Sequence, residues 1–152
     1  MGVKVICENR KARFHYEILE KFEAGMVLMG SEVKSLRDGR GNLADAYADI
    51  ERDELYLLNS HIGKYPAANQ FNHEEKRKRK LLMHRREIER LRGKIQEKGL
   101  TLIPLSLYFK EGKVKVSLGL GRGKKLHDKR ETKKRRESDR ELRRIKKISK
   151  KY

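Results

Sequence analysis

Leu100-Thr-Leu-Ile-Pro-Leu-Ser-Leu-Tyr-Phe109 and Lys113-Val-Lys-Val-Ser-Leu-Gly-Leu120 both alternate apolar residues with others, and Glu111-Gly112 lies between them. Alternation at period two is the mark of a strand with one buried face. Two such runs across a short glycine-containing turn predict an antiparallel hairpin. The same pattern occurs upstream, where Ala46 to Glu51 and Leu55 to Ser60 meet at Arg52-Asp-Glu54. A second hairpin is expected there.

The N-terminal part is less regular. Val3 to Cys7 is a short apolar start, and Phe14, Tyr16, Ile18 and Phe22 alternate approximately among Glu and Lys, as in a half-buried strand. Glu23-Ala-Gly25 is expected to form a corner, with Met26 to Met29 a further strand. Gly30-Ser31 then opens a short helix over Glu32 to Arg37, with Ser31 as the candidate N-cap, Gly39 closing it and a turn over Asp38 to Gly41. From Tyr65 to His73 the apolar pattern lapses into a loop. Leu81, Ile88, Leu91 and Ile95 recur at helical spacing and Gly99 stands at a C-cap position, so a longer helix is expected, with Lys76-Arg-Lys-Arg-Lys80 as its leading turns. Cations there oppose the helix dipole. They are either phosphate contacts or solvated side chains on a helix end.

About six short strands with one short and one longer helix predict a mainly β fold, a small antiparallel barrel of oligonucleotide-binding type with flanking helices. The barrel is expected over residues 1–121. Residues 122–152 differ in kind, with 16 Lys and Arg against 5 Asp and Glu. Such a segment has too few apolar groups to offset its ordering entropy, and a tail disordered when free is expected. Leu142, Ile145, Ile148 and Tyr152 nevertheless fall three or four apart, which allows a helix to form on a polyanion. A purely solvated extension is the alternative reading.

The full chain of 152 residues carries a net charge of +18, which argues for an anionic partner, most commonly nucleic acid. No apolar run approaches the ~18 residues of a membrane-spanning helix. No membrane role is expected, and the chain reads as soluble and cytoplasmic. The single Cys7 gives no internal disulfide and no paired metal ligand.

No catalytic, metal or cofactor site is expected. The sequence has no phosphate-loop or dinucleotide fingerprint and no His-Glu-x-x-His helix. Gly119-Leu-Gly-Arg-Gly123 resembles a phosphate loop only superficially, because a hairpin strand precedes it. His61, His73 and His84 are scattered. The acid pairs Glu20 with Glu23 and Glu74 with Glu75 lie in no nuclease pattern, although metal held by Glu20 and Glu23 would make the chain an RNA-processing enzyme. A binding surface has better support. Asn9, Arg10, Lys11 and Arg13 lead into Phe14, His15 and Tyr16, placing cations beside rings that can stack on unpaired bases, unless those rings serve the core. Glu23 cannot bind phosphate but can accept hydrogen bonds from base amino or imino groups.

Six blocks carry a resemblance that runs from about Cys7 to the end. They are Asn9-Arg-Lys-Ala-Arg13 with Tyr16; Glu23-Ala-Gly25; Gly30-Ser-Glu-Val-Lys-Ser-Leu-Arg37; Arg79-Lys-Leu-Leu82 with Glu87-Ile88; Gly99-Leu-Thr-Leu-Ile-Pro-Leu105 with Tyr108; and Gly123-Lys-Lys-Leu-His-Asp-Lys-Arg130. Together they resemble the bacterial SsrA-binding protein (SmpB) family, partners of transfer-messenger RNA (tmRNA, or SsrA RNA). The chain departs from the family pattern at Glu74-Glu75, where Asp-Pro is usual, and at Met83, where Leu is common.

The resemblance implies an oligonucleotide-binding-type barrel and a non-catalytic adaptor in trans-translation, the rescue of stalled ribosomes. It implies that the barrel binds the tRNA-like domain of tmRNA through Asn9, Lys11, Arg13, Tyr16, Glu23, Leu82 and Lys115. It further implies that the tail enters the empty decoding centre and message channel as a helix, with Lys124, Lys125, His127, Asp128, Lys129 and Arg130 against rRNA of the small ribosomal subunit. Elongation factor Tu would be an indirect partner, through aminoacylated tmRNA, and the chain is expected to act as a monomer. A structural ribosomal protein with a barrel and basic extension is the alternative.

Overall fold

In the computed structural model, residues 2–67 and 72–123, with 136, 137 and 140, are described. The hairpin expected at Glu111-Gly112 is present. It joins two long strands whose residues Lys110 and Lys113 pair across a two-residue loop. Both loop residues have positive φ, 53° at Glu111 and 76° at Gly112, the left-handed pair that matches the twist of a tight hairpin. The Arg52-Asp53 hairpin uses the same device, with φ of 48° and 68°.

In chain order the elements are β1 (Lys4–Glu8), α1 (Ala12–His15), β2 (Tyr16–Met26), α2 (Gly30–Arg37), β3 (Gly41–Asn42), β4 (Tyr47–Glu51), β5 (Glu54–Leu58), β6 (His61–Ile62), β7 (Arg79–Leu82), α3 (Arg85–Lys98), β8 (Thr101–Lys110) and β9 (Lys113–Gly123). The large sheet runs β1-β8-β4-β5-β7-β2-β9, and β8 pairs again with β9, so six antiparallel strands close into a barrel-like ring. β1 is appended to the second half of β8, beside the ring. β3 and β6 form a separate short pair. The fold is therefore mainly β with flanking helices, as the alternation patterns predict.

Period-two residues fill the ring. Val114, Val116, Leu118 and Leu120 of β9 point inward with Leu55 and Leu57 of β5, Leu81 of β7 and Leu102 and Leu107 of β8. α3 adds Ile88 and Leu91 to this core and ends at Gly99 in the left-handed conformation, φ 62°, as expected of a C-cap.

Four local expectations are corrected. Phe14 belongs to the α1 turn, and the strand begins only at Tyr16. Glu23-Ala-Gly25 is no corner: β2 runs straight through it to Met26, and the expected strand over Met26 to Met29 does not form. There Gly25 pairs with Leu82 of β7 on one side and Lys115 of β9 on the other, so the strand is held across its full width. Ser31 does not cap α2. Glu32 reaches back to accept the Met29 N–H at 2.8 Å, half of a capping box, while Ser31 Oγ bonds His73 Nδ1 at 2.9 Å.

The fourth correction concerns the basic run. Lys76 to Lys80 does not lead α3, which starts at Arg85, because Arg79 and Leu81 are inward residues of strand β7. Arg79 and Glu32 are both fully buried and form an ion pair. Arg77 Nη2 reaches the other Glu32 oxygen at 2.7 Å, and Arg79 Nη1 also donates to Ser60 O at 2.7 Å. Burial pushes the Glu32 carboxyl up, but hydrogen bonds from Arg77, the Met29 N–H and Arg79 outweigh it and the net displacement is downward. Outward, Lys78 pairs with Glu51 and Lys80 with Glu54. Four of the five cations are thus matched by acids of the fold itself.

Removing one member of a buried pair strands the other charge. Glu32→Leu is expected to lower unfolding free energy by about 3–5 kcal/mol in urea titration. A loss below about 1 kcal/mol would show that Arg79 finds other compensation.

Candidate nucleic-acid interface

The outward residues of β9 are Lys115, Ser117, Gly119 and Gly121, alternating with the core set. The two glycines are needed where apolar side chains cross the outer surface. A Cβ on Gly119 would lie 3.1 Å from Leu105 and 3.2 Å from Ile18, and one on Gly121 would lie 3.2 Å from Ile103. Leu105 reaches this position because β8 is bulged between Pro104 and Ser106. This small outer cluster seats the start of β2 and the turn before it.

Asn9 secures that turn from β8. Its backbone N–H donates to Leu105 O at 2.8 Å and its side-chain amide to Pro104 O at 3.0 Å. The turn then folds over the buried Ala12, leaving Lys11 and Arg13 exposed. They face different hollows. Lys11, Tyr16, Tyr47 and Gly123 line a cleft of about 570 Å³, whereas Arg13, Lys21 and Ser117 line one of about 450 Å³. Asn9 borders both. Phe14 packs edge-on to His15 at 5.2 Å between ring centroids, and Arg136 lies 5.9 Å from the Phe14 centroid, within cation–π range.

The remaining barrel candidates gather at the far end of β2. Glu23 pairs with Ser117, and Gly25 sits between Lys115 and Leu82. Leu82 is 53% exposed, a large apolar side chain beside a lysine. Gly25, Leu82, Lys113 and Lys115 line a cleft of about 310 Å³. Glu23 Oε2 accepts the Tyr108 hydroxyl at 2.5 Å, and Lys110 Nζ stands 3.3 Å from both carboxylate oxygens. The Tyr108 hydrogen bond holds the Glu23 carboxyl below the usual range; burial opposes it, and Lys110 and Lys115 add to the lowering.

Asn9, Lys11, Arg13, Tyr16, Glu23, Leu82 and Lys115 therefore form two groups along β2 and β9, one at each end. Lys124, Lys125, His127, Asp128, Lys129 and Arg130 lie outside the described residues. Tyr108, Lys110 and Lys21 join the face although residue-by-residue reading assigned them no role. The bulge at Leu105 shifts the alternation of β8, so Tyr108 falls outward. Glu20 and Glu23 do not converge: both Glu20 oxygens lie 2.7 Å from Lys94 of α3, whereas Glu23 turns to β8. The metal-pair reading fails on that geometry. Glu75 is likewise engaged, with His61 Nε2 at 2.6 Å.

The face is thus a cationic surface with aromatic rings, the exposed Leu82 and one oriented acid. The sequence model of the family described as "SmpB protein" matches residues 6–148. An SsrA-binding protein of Agrobacterium fabrum is 56% identical over 143 residues, covering 93% of this chain and 89% of that protein. The chain belongs to the SmpB family. Another SmpB relative, the SsrA-binding protein of Syntrophobacter fumaroxidans, is 59% identical over 144 residues, covering 95% and 89% of the two chains. A solved SmpB chain, described as "tmRNA-SmpB: a journey to the center of the bacterial ribosome", is 53% identical with a TM-score of 0.66 and covers 79% of this chain and 85% of that one. The SmpB match continues beyond β9 into the basic tail.

Carboxyl-detected NMR should find Glu23 titrating below an ordinary glutamate. An acid depressed in the folded state stabilises the fold above its unfolded pKa and loses that contribution as pH falls through its folded value. The contribution of this exposed group is therefore expected to disappear only in the acid range below the normal Glu midpoint. A midpoint at or above the usual value would contradict the Tyr108 and Lys110 contacts.

Proposed function

We propose that this chain is a non-catalytic RNA-binding adaptor that binds the tRNA-like domain of tmRNA and delivers it to stalled ribosomes for trans-translation. Membership of the SmpB family carries the reading, supported by relatives named as SsrA-binding proteins and a solved relative described with tmRNA and the bacterial ribosome. The barrel, residues 1–121, supplies the tmRNA surface. Lys11, Arg13 and Lys115 contact phosphates, Tyr16 stacks, Leu82 packs against sugar or base, Asn9 holds the loop and offers its free amide oxygen, and Glu23 accepts from a base edge.

Residues 122–152 read the ribosome. In the empty decoding centre of the small subunit, His127 stacks on an rRNA base while Lys124, Lys125, Lys129 and Arg130 contact phosphates, and Asp128 accepts a hydrogen bond. The tail becomes helical in the message channel, which is open to it only when message is absent. Elongation factor Tu joins indirectly through aminoacylated tmRNA. The chain works as a monomer in the cytoplasm, where ribosomes are.

Binding of the full chain to tmRNA, measured against excess ordinary tRNA across a salt series, tests the reading. A preference of about two orders of magnitude or more at physiological salt is expected, since counterion release alone is sequence-blind and falls steeply with salt. No preference would favour a structural ribosomal protein. Truncation after Gly123 is expected to leave tmRNA affinity within about threefold while abolishing tagging of stalled products, measured by peptide-tag incorporation. A large loss of tmRNA affinity would overturn the division between barrel and tail.

A further inference from the structure

Tyr108 and Glu23 stand on strands that are not neighbours, since β8 pairs with β9 and β9 with β2. Two strand spacings, ~10 Å, separate them. Even so, the Tyr108 hydroxyl lies 2.5 Å from Glu23 Oε2. The phenol must therefore lie across the outside of β9, between Lys115, the β9 partner of Tyr108, and Ser117, the β9 partner of Glu23. It is only 8% exposed, although Tyr108 points away from the ring interior and is no part of the main core. Burial, then the hydrogen bond to Glu23, pushes the phenol pKa up, so the hydroxyl remains a donor.

This bridge has a specific effect on the acid. Glu23 has three rotatable side-chain bonds and stands among Lys110 and Lys115, with which it would otherwise form shifting ion pairs. The hydroxyl fixes Oε2 and leaves Oε1 with only the longer Lys110 contact at 3.3 Å. An acceptor ordered before its partner arrives loses less entropy on binding.

We infer that Tyr108 is a positioning residue for RNA discrimination, its hydroxyl holding the Glu23 carboxylate in one orientation so that Oε1 accepts from a base amino or imino group. The inference rests on the assignment of Glu23 to RNA contact and goes beyond it by naming what aims the acid. A purely structural Tyr108 would act through its ring, which phenylalanine preserves.

The test uses full-length protein, tmRNA and excess tRNA at physiological salt. Tyr108→Phe is expected to reduce the preference for tmRNA about tenfold, the scale of one aligned hydrogen bond. The slope of log affinity against log salt should stay unchanged, because phosphate contacts are untouched. In a Glu23→Ala background, Tyr108→Phe should cause no further loss, since its effect passes through the acid. Glu23→Asp, a surface change that keeps the charge but withdraws it from the hydroxyl, should reproduce the loss even if Tyr108→Phe folds poorly. Wild-type preference in Tyr108→Phe or in Glu23→Asp, or losses that multiply in the double variant, would overturn the positioning role. Full preference in Glu23→Ala would overturn the Glu23 assignment and the inference with it, while absence of preference in the unaltered chain would strike the adaptor reading itself.

Discussion

A single buried carboxylate organises one side of this molecule. Glu32 takes hydrogen bonds from the Met29 N–H, Arg77 and Arg79, and Arg79 in turn donates to Ser60 and to the Glu75 carbonyl. The start of α2, strand β7, the link between β5 and β6 and the segment entering β7 are thereby fixed to one point. Such a network has little tolerance, because each member left alone is a charge without solvent. Two guanidinium groups share one acid, and Arg77 Nε is buried without a partner among the described residues. The fold accepts that cost where an apolar contact would have allowed sliding.

With β7 fixed, the position of β2 follows. Gly25 is the point where β2 touches both β7 and β9, and the residues paired with it there are Leu82 and Lys115. The putting-together of an exposed leucine, a lysine and the Glu23 carboxylate is therefore a consequence of backbone pairing. The other end of β2 is set differently, by side chains that lie over Gly119 and Gly121. One strand carries two surfaces, and the rigidity of each has its own origin.

Much of this was legible in the sequence. Hairpins announced by alternation on either side of a short turn, and the α3 C-cap at Gly99, needed no tertiary information. The errors share a cause. Arg79 sits in an inward strand position, and a charged residue there breaks the apolar period from which β7 would be read. Straight passage of β2 through Glu23-Ala24-Gly25 depends on two neighbours that are distant in sequence, so glycine looked like a corner. At the interface, the motif residues were visible, but the part played by Tyr108 was not. Its outward phase is produced by a bulge, and its partner is 85 positions away.

The pairing of Lys78 and Lys80 with acids on β4 and β5, and of Arg92 with Asp53, leaves that half of the ring close to electrically neutral. The half formed by β2, β9 and β8 pairs Lys110 with Glu23 but leaves Lys21, Lys113 and Lys115 without an acid partner among the described residues. The unpaired lysines of the ring strands therefore lie together on β2 and β9. A polyanion would draw that face forward during approach, before any contact is made. Orientation by the field shortens the rotational search, so the arrangement of charge acts on encounter alongside its total.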